Sequence, residues 1–410
     1  MHPLSPDQQT AFDQMVSFIC DPNKRTFVLE GYAGVGKSTL MQHFITKLSD
    51  IHKAFVLVNA SDQAPDYALT ATTHKAAENL SDITGEPVGT LHSYLGLRVH
   101  KDYATGKTCL KPRANFDMPT NVLIIVDEAS TIENELLDFV YSRTVNCKVI
   151  FIGDPAQLTP IGYLTAPVFK RGFETVRLDK VHRNGGHILD LATNFRKVVE
   201  TGNWFQFKPD GNDVVWCDRN EFNDRIVAEF TRPGWKAKDS KYLSYTNGRA
   251  IEYNRFIRSV QKGDPDFQVG DYASVNEYVE NLELRVAFKT DQTVHITSIS
   301  PETRFGVAGH VMGLNGIPMF VPTDRKLAAK TMARAREEGS WAAVREIEQW
   351  VDLRALFGQT VNKSQGSTYG KVFIDLDDIS GASNGNLMAR LLYVGTSRAK
   401  KQVVFTGDIA

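Results

Sequence analysis

Residues 31–38 read Gly-Tyr-Ala-Gly-Val-Gly-Lys-Ser, and no other stretch restricts the possible folds as much. The octapeptide matches G-x-x-x-x-G-K-[ST] at every fixed position. The apolar run Phe27 to Glu30 before it predicts a strand, and Ser38 to Leu48 after it predicts a helix. Glycines let the backbone fold back so that successive N–H groups face one point, and the following helix start adds partial positive charge there. Such a strand–loop–helix unit cradles a β-phosphate. Lys37 is placed to reach the β- and γ-phosphates, and the Ser38 hydroxyl to bind Mg²⁺.

A phosphate loop of this kind needs a parallel sheet around it. Phe55 to Asn59, Val122 to Val126 and Lys148 to Ile152 are near-continuous apolar runs and predict further buried strands. The second of these runs into Asp127-Glu128. A carboxylate at the carboxyl end of a central strand lies where open α/β sheets bind ligands. Asp127 is expected to hold Mg²⁺ through water and Glu128 to polarise the attacking water. The third run ends in Asp154-Pro155-Ala156-Gln157, and Gln157 is a candidate to sense the γ-phosphate or orient that water.

A second α/β set starts after Arg183. Gly186 to Glu200 reads as a helix; Tyr242 to Tyr245, Arg354 to Gly358, Val372 to Asp375 and Gln402 to Thr406 read as strands. Between about Gln268 and Pro322 the pattern turns to alternating β-type residues and glycines, a small antiparallel insertion. A charged helix over Asp324 to Gln349, with a break near Gly339, follows it. Its Lys326, Lys330 and Arg334 share one face, read as solvated. Trp341, Val344, Ile347 and Val351 form an apolar stripe, expected to pack on the insertion. Gly96 to Arg113 predicts a projecting β-hairpin turning at Thr105-Gly106.

Bulk properties exclude several classes. The 410 residues are 42% hydrophobic and 23% charged with net charge -1, an ordinary globular balance and no polycation that coats nucleic acid. A local basic channel remains compatible with that total. The four cysteines, Cys20, Cys109, Cys147 and Cys217, form no C-x-x-C pair, and the ten histidines show no metal-ligand spacing. No signal peptide and no apolar run near the ~18 residues of a membrane span is present. The expectation is a protein of the cytoplasm of a bacterial host, of phage or bacterial origin, without membrane contact.

The motifs in this order resemble the superfamily 1 helicases, and within them the RecD-like (1B) branch with its small phage Dda-type members. Other blocks carry the same resemblance. Leu4 to Phe12 resembles the family's Q motif, with Gln8, ahead of Gln9, as the residue that reads adenine. Ala71 to Ala77 resembles motif Ia and Gly89 to Gly96 the next DNA-contact motif. Arg183 falls where the family has a phosphate-contacting arginine. Gln359 to Asp375 resembles motif V, with Asn362 where many relatives carry histidine. Leu391 to Lys400 resembles motif VI, with Arg398 as the arginine finger.

The resemblance implies two RecA-like P-loop domains in tandem: 1–185 with a hairpin at 96–115, then 186–267 joined to 352–410, with an SH3-like β-barrel and helix inserted over 268–351. It implies ATP and Mg²⁺ as cofactors, bound by Gln8, Gly31, Ala33, Gly34, Val35, Gly36, Lys37, Ser38 and Thr39, with Ser38 and Asp127 on the metal. The catalytic set is Lys37, Asp127, Glu128, Gln157, Arg183 and Arg398. Charge developing in phosphoryl transfer needs cations from across a cleft, and the two arginines supply them from the second unit or its edge. The DNA track runs along Thr73, His74, Lys75, Thr90, His92, Thr360, Asn362 and Lys363. Hydroxyls, amides and cations hold phosphates without reading sequence. The hairpin near Tyr103 is a candidate strand-separating pin.

The function implied is an ATP-dependent DNA helicase moving 5′ to 3′ on single-stranded DNA, as a monomer, on single-stranded and fork DNA, with a single-strand-binding or replication protein as partner. The same machinery would serve a translocase that strips proteins from DNA, or an RNA helicase. A non-catalytic nucleic-acid-binding protein with a dead P-loop is disfavoured by the complete set of motif residues.

Overall fold

The computed structural model describes residues 3–59, 64–101, 108–180, 186–281 and 283–409. Arg183 and Tyr103 lie outside the described residues. The chain forms two compact units. The first comprises 1–215, 364–368 and 379–403; the second comprises 216–363, 369–378 and 404–410.

The first unit is built on a six-stranded sheet, in the order Val88–Thr90, Asp66–Ala71, Val122–Asp127, Lys148–Gly153, Thr26–Gly31, Glu174–Leu178. Every pairing in it is parallel. Its central strands are buried on both faces, which is why they read as unbroken apolar runs. Leu91, Ile124, Val126, Leu137, Val149 and Phe151 belong to one core beneath the sheet. Register brings the carboxyl ends together: Ala71 pairs with Asp127, Val126 with Phe151, and Glu30 with Gly153. The phosphate loop, the two acids and the Asp154 turn therefore leave the sheet at one edge.

One expected strand is a helix. Phe55 to Asn59 closes the helix Leu48–Asn59, and the sheet position beside Val122–Asp127 is taken by Asp66–Ala71. A short apolar run fits either period. In this helix Leu48 and Ile51 face the core, while Leu57 and Val58 stay 82% and 67% exposed. A buried strand would not leave them so.

The second unit contains most of a five-stranded sheet ordered Gly358–Thr360, Ser240–Ser244, Tyr369–Asp375, Ala399–Thr406, Val214–Trp216. The expected strand Arg354 to Gly358 splits in two. Leu353–Arg354 joins the inserted sheet, and Gly358–Thr360 pairs parallel to Ser240–Ser244. The inserted sheet is antiparallel, in the order Ile317–Pro322, Val307–Leu314, Thr293–Arg304, Tyr272–Val275, Leu353–Arg354. The charged segment makes two helices, Arg325–Glu337 and Trp341–Ile347, parted at Gly339, whose φ of 70° suits glycine. Lys326, Lys330 and Arg334 face solvent. Of the apolar stripe, Val344, Ile347 and Val351 are buried, but Trp341 is 62% exposed and Trp350 takes the buried place beside Phe320.

Candidate active site

The phosphate loop bridges the strand Thr26–Gly31 and the helix Lys37–Thr46. Gly34 and Gly36 take φ of 87° and 84°, the left-handed turn that aligns the N–H groups. A Cβ on Gly31 would come within 2.8 Å of the Val35 side chain, so only glycine lets the loop close. Lys37 donates through Nζ to the loop carbonyls of Gly31 and, at 3.2 Å, Tyr32. Gln8 lies against the same loop. Its Nε2 donates to the carbonyls of Val35 and Gly36 at 3.3 Å each, and its Oε1 accepts the Ser5 N–H at 3.0 Å. The capping box that starts the helix Pro6–Cys20 thus aims Gln8 at the loop. Ser38 and Thr39 are exposed on the first helical turn.

Asp127 and Glu128 end their strand side by side, and Asp127 Oδ1 accepts the Glu128 N–H at 2.9 Å. They retain some contact with solvent but are closely surrounded by protein. Burial raises the pKa of Asp127, against the Glu128 N–H and the charge of Lys37. Glu128 is pushed up to about 7, first by burial and then by the charge of Asp127, with Arg398 and Lys37 pulling it back. Two acids at one strand end, each within the field of Lys37, are chemically able to divide between holding a cation and handling a proton.

The helix Gly385–Ser397 belongs to this same compact unit and packs on the helix His187–Thr201. Met388 through Thr396 are all buried, so its polar side chains must find partners inside. Arg390 donates to the carbonyls of Pro155 at 2.7 Å and Leu164 at 2.8 Å, and also to that of Gln157. Tyr393 reaches Asp154 and the phosphate loop. Arg398, at the helix end, bonds the Val394 carbonyl at 3.1 Å and the Ser367 carbonyl at 3.3 Å, and its charge acts on Glu128. Gln157 is buried, and its Oε1 accepts from Gln365 Nε2 at 3.3 Å. The structure thus brings Lys37, Asp127, Glu128, Gln157 and Arg398 into one unit.

The track residues fall in two groups. In the first unit, Thr73 caps the helix His74–Thr84 by accepting the Ala76 N–H at 3.1 Å, and Lys75 pairs with Glu78 at 3.2 Å. Thr90 caps the short helix Leu91–Tyr94. Burial, with the nearby charge of His74, lowers the pKa of His92. Gly366 of the motif V stretch lies against Ala76, and Asn79 donates to its carbonyl. In the second unit, Thr360 is buried, Asn362 is exposed, and Lys363 Nζ donates to Asn276 at 2.6 and 2.8 Å. The hairpin strands Leu97–Lys101 and Thr108–Pro112 pair antiparallel, closed at the base by Arg113 N–H to the Gly96 carbonyl at 2.8 Å.

Residues 3–200 match the AAA domain family AAA_30, and residues 357–406 match the UvrD-like helicase C-terminal domain. The chain is 24% identical over 454 residues to the ATP-dependent DNA helicase dda of Enterobacteria phage T4, covering 98% of this chain and 99% of that protein. It is 29% identical over 182 residues to the ATP-dependent RecD2 DNA helicase of Deinococcus radiodurans, 44% of this chain and 22% of that one. The Pif1 helicase from Bacteroides, solved with ADP-AlF3 and ssDNA, aligns over 100% of this chain and 94% of its own, with TM-score 0.51 and 16% identity. This chain is similar in sequence to the Dda and RecD2 DNA helicases, and it shares its fold with the Bacteroides Pif1 helicase.

The shared core is thus the α/β architecture just described. Among the described residues, no helix is long and apolar enough to cross a membrane. Four residues packed around this site escaped sequence reasoning: Tyr393, Arg390, Asp154 as an acceptor, and Thr72, whose hydroxyl donates to the Glu128 carbonyl at 3.1 Å. The first two had a readable signal, since an arginine and a tyrosine inside a helix that is otherwise apolar all round demand buried partners. Thr72 carries no such signal, because its role depends on which backbone carbonyl lies opposite.

Proposed function

We propose that the chain is an ATP-dependent DNA helicase that translocates 5′ to 3′ on single-stranded DNA and separates duplex by hydrolysing ATP. The observation that carries this is the electrostatic set around Glu128. A carboxylate whose pKa sits near neutrality lies within the field of both Lys37 of the phosphate loop and Arg398 of motif VI. A base poised there and two cations serve phosphoryl transfer. The relatives supply the track: dda and RecD2 are named DNA helicases, and the Bacteroides Pif1 complex contains ssDNA.

In this reading the loop N–H groups and Lys37 hold the phosphates, with Gln8 beside the base. Ser38 and Asp127 are the residues that would hold Mg²⁺, which neutralises phosphate charge when bound. The donor set fits, with a hydroxyl on the first helical turn and a carboxylate at the same edge of the sheet, one strand removed from the strand that feeds the loop. Glu128 takes the proton of the attacking water, Gln157 orients that water, and Arg398 stabilises the charge that develops. Arg183 is assigned a like role from its place in the family pattern. The proposed motor division is 1–185 against 186–267 with 352–410, around an inserted 268–351; the six-stranded sheet and the five-stranded sheet containing Ser240–Ser244 favour it, whereas 186–215, 364–368 and 379–403 cluster with the first compact unit. Thr73, His74, Lys75, Thr90, His92, Thr360, Asn362 and Lys363 carry the track.

The hairpin over 96–113 is proposed as the pin, with Tyr103 as the candidate residue that stacks on the junction base pair. Forks with a 5′ or a 3′ single-stranded tail test polarity and pin together. The expected result is unwinding of the 5′-tailed fork alone, lost when the hairpin is deleted while ATPase persists. Unwinding that survives the deletion removes the pin, and preference for the 3′ tail reverses the polarity.

A further inference from the structure

Tyr393 stands at a junction that none of the roles above uses. Its phenol is 2% exposed, and the Asp154 carboxylate is fully buried. Tyr393 Oη donates to Asp154 Oδ2 at 2.6 Å and accepts the backbone N–H of Ala33 at 2.8 Å. The directions follow from the inventory: a phenol has one proton, the carboxylate only accepts, and the amide only donates. Asp154 Oδ1 accepts the Ala156 N–H at 2.9 Å, so the carboxylate is itself fixed by its own turn. One hydroxyl therefore joins the third residue of the phosphate loop to the turn that carries Gln157.

The same helix holds that turn at a second place, through Arg390 on the carbonyls of Pro155 and Gln157, and ends at Arg398. Tyr393 lies between the two, three residues after Arg390 and five before Arg398. Moving the helix along or about its axis would break the Ala33 bond before it disturbed the apolar packing, since hydrogen bonds fall off steeply with geometry.

We propose that Tyr393 is a positioning residue for nucleotide hydrolysis: its hydroxyl locks the Ala33 amide to Asp154 and so sets the Arg398 helix in register with the phosphate loop. This rests on the ATPase reading above. The ring provides packing, and the oxygen alone provides the register, so Tyr393→Phe separates the two.

The test uses the full chain and two readouts. Hydrogen–deuterium exchange at the Ala33 amide, without nucleotide, reads the bond itself. Steady-state kinetics with single-stranded DNA read its consequence. For Tyr393→Phe the expected results are Ala33 exchange faster by on the order of tenfold, kcat lower by a similar factor, and KM for ATP within about twofold. A melting temperature close to the parent's accompanies them. Tyr393→Phe/Asp154→Asn is expected to fall no further than the worse single variant. Unchanged exchange at Ala33, or faster exchange with kcat within twofold of the parent, overturns the proposal. So does a loss confined to KM. A parent chain without ATPase activity contradicts the ATPase reading, and shows as such before any variant is compared.

Discussion

The hydroxyl of Thr72 donates to the backbone carbonyl of Glu128 at 3.1 Å, and Thr131 Oγ1 lies 2.7 Å from that hydroxyl and 3.2 Å from the same carbonyl. Glu128 has a φ of 55°, a left-handed conformation that a residue with a Cβ rarely adopts. Two threonine hydroxyls thus hold a strained backbone at the proposed base. Thr72 immediately precedes Thr73, His74 and Lys75, so one short segment touches both the candidate track and the acid pair.

Thr72→Val keeps the shape and removes the bond. Losing about 1 kcal/mol of positioning predicts a DNA-stimulated kcat roughly fivefold lower. Binding of single-stranded DNA, measured by fluorescence anisotropy, should stay close to the parent's. A kcat equal to the parent's would show that Glu128 needs no support from this side.

The raised pKa of Glu128 makes stability depend on pH. Its folded value is about 7, above the ordinary glutamate value, because burial and Asp127 disfavour the charged form. Between the two values the folded state binds more protons than the unfolded one, so stability falls as pH rises through that window. Glu128→Gln removes this loss. Its melting temperature should exceed the parent's at pH 8 and approach it at pH 5, and a difference independent of pH would refute the assignment. The variant should also retain ATP without turning it over.

Lys37→Ala is expected to abolish hydrolysis. Single-stranded DNA affinity should remain within a few fold, because Lys37 bonds only its own loop among the described contacts. Parallel loss of DNA binding would mean that the loop supports the track as well as the phosphates.

How much of this was legible in the sequence differs by kind of feature. The phosphate loop, Asp127-Glu128 and Gln157 were readable because each is a local chemical pattern at the end of an apolar strand, and the register then aligned those ends. Gly339 was readable as a helix break for the same local reason. Phe55 to Asn59 was misread because four consecutive apolar residues carry no period, and only the competing strand Asp66–Ala71 decides. Arg354 to Gly358 was misread because its halves serve two sheets. Tyr393 and Asp154 are 239 residues apart, and no spacing rule links them.

Asp375 offers a stability test away from the acid pair. Its carboxylate is fully buried and takes two contacts of 2.8 Å from Arg219 and one of 2.9 Å from Arg249. Burial alone would raise its pKa, but those hydrogen bonds outweigh burial and hold it below the usual value. Asp375→Asn should cost about 2–4 kcal/mol, less than a wholly enclosed pair because both arginines reach water. Since the folded pKa is depressed, the contribution is present above the unfolded value and lost as pH falls through the folded one. Urea denaturation at pH 7 measures it, and a loss under about 1 kcal/mol would contradict the account.

The central claim is that nucleotide hydrolysis in this chain is coupled to a DNA track. Steady-state ATPase activity without polymer, with single-stranded DNA and with single-stranded RNA of equal length tests it most directly. The account predicts a large stimulation by DNA and little by RNA. Equal activity in all three would contradict it and leave a P-loop ATPase without a track, while stimulation by RNA alone would replace the substrate.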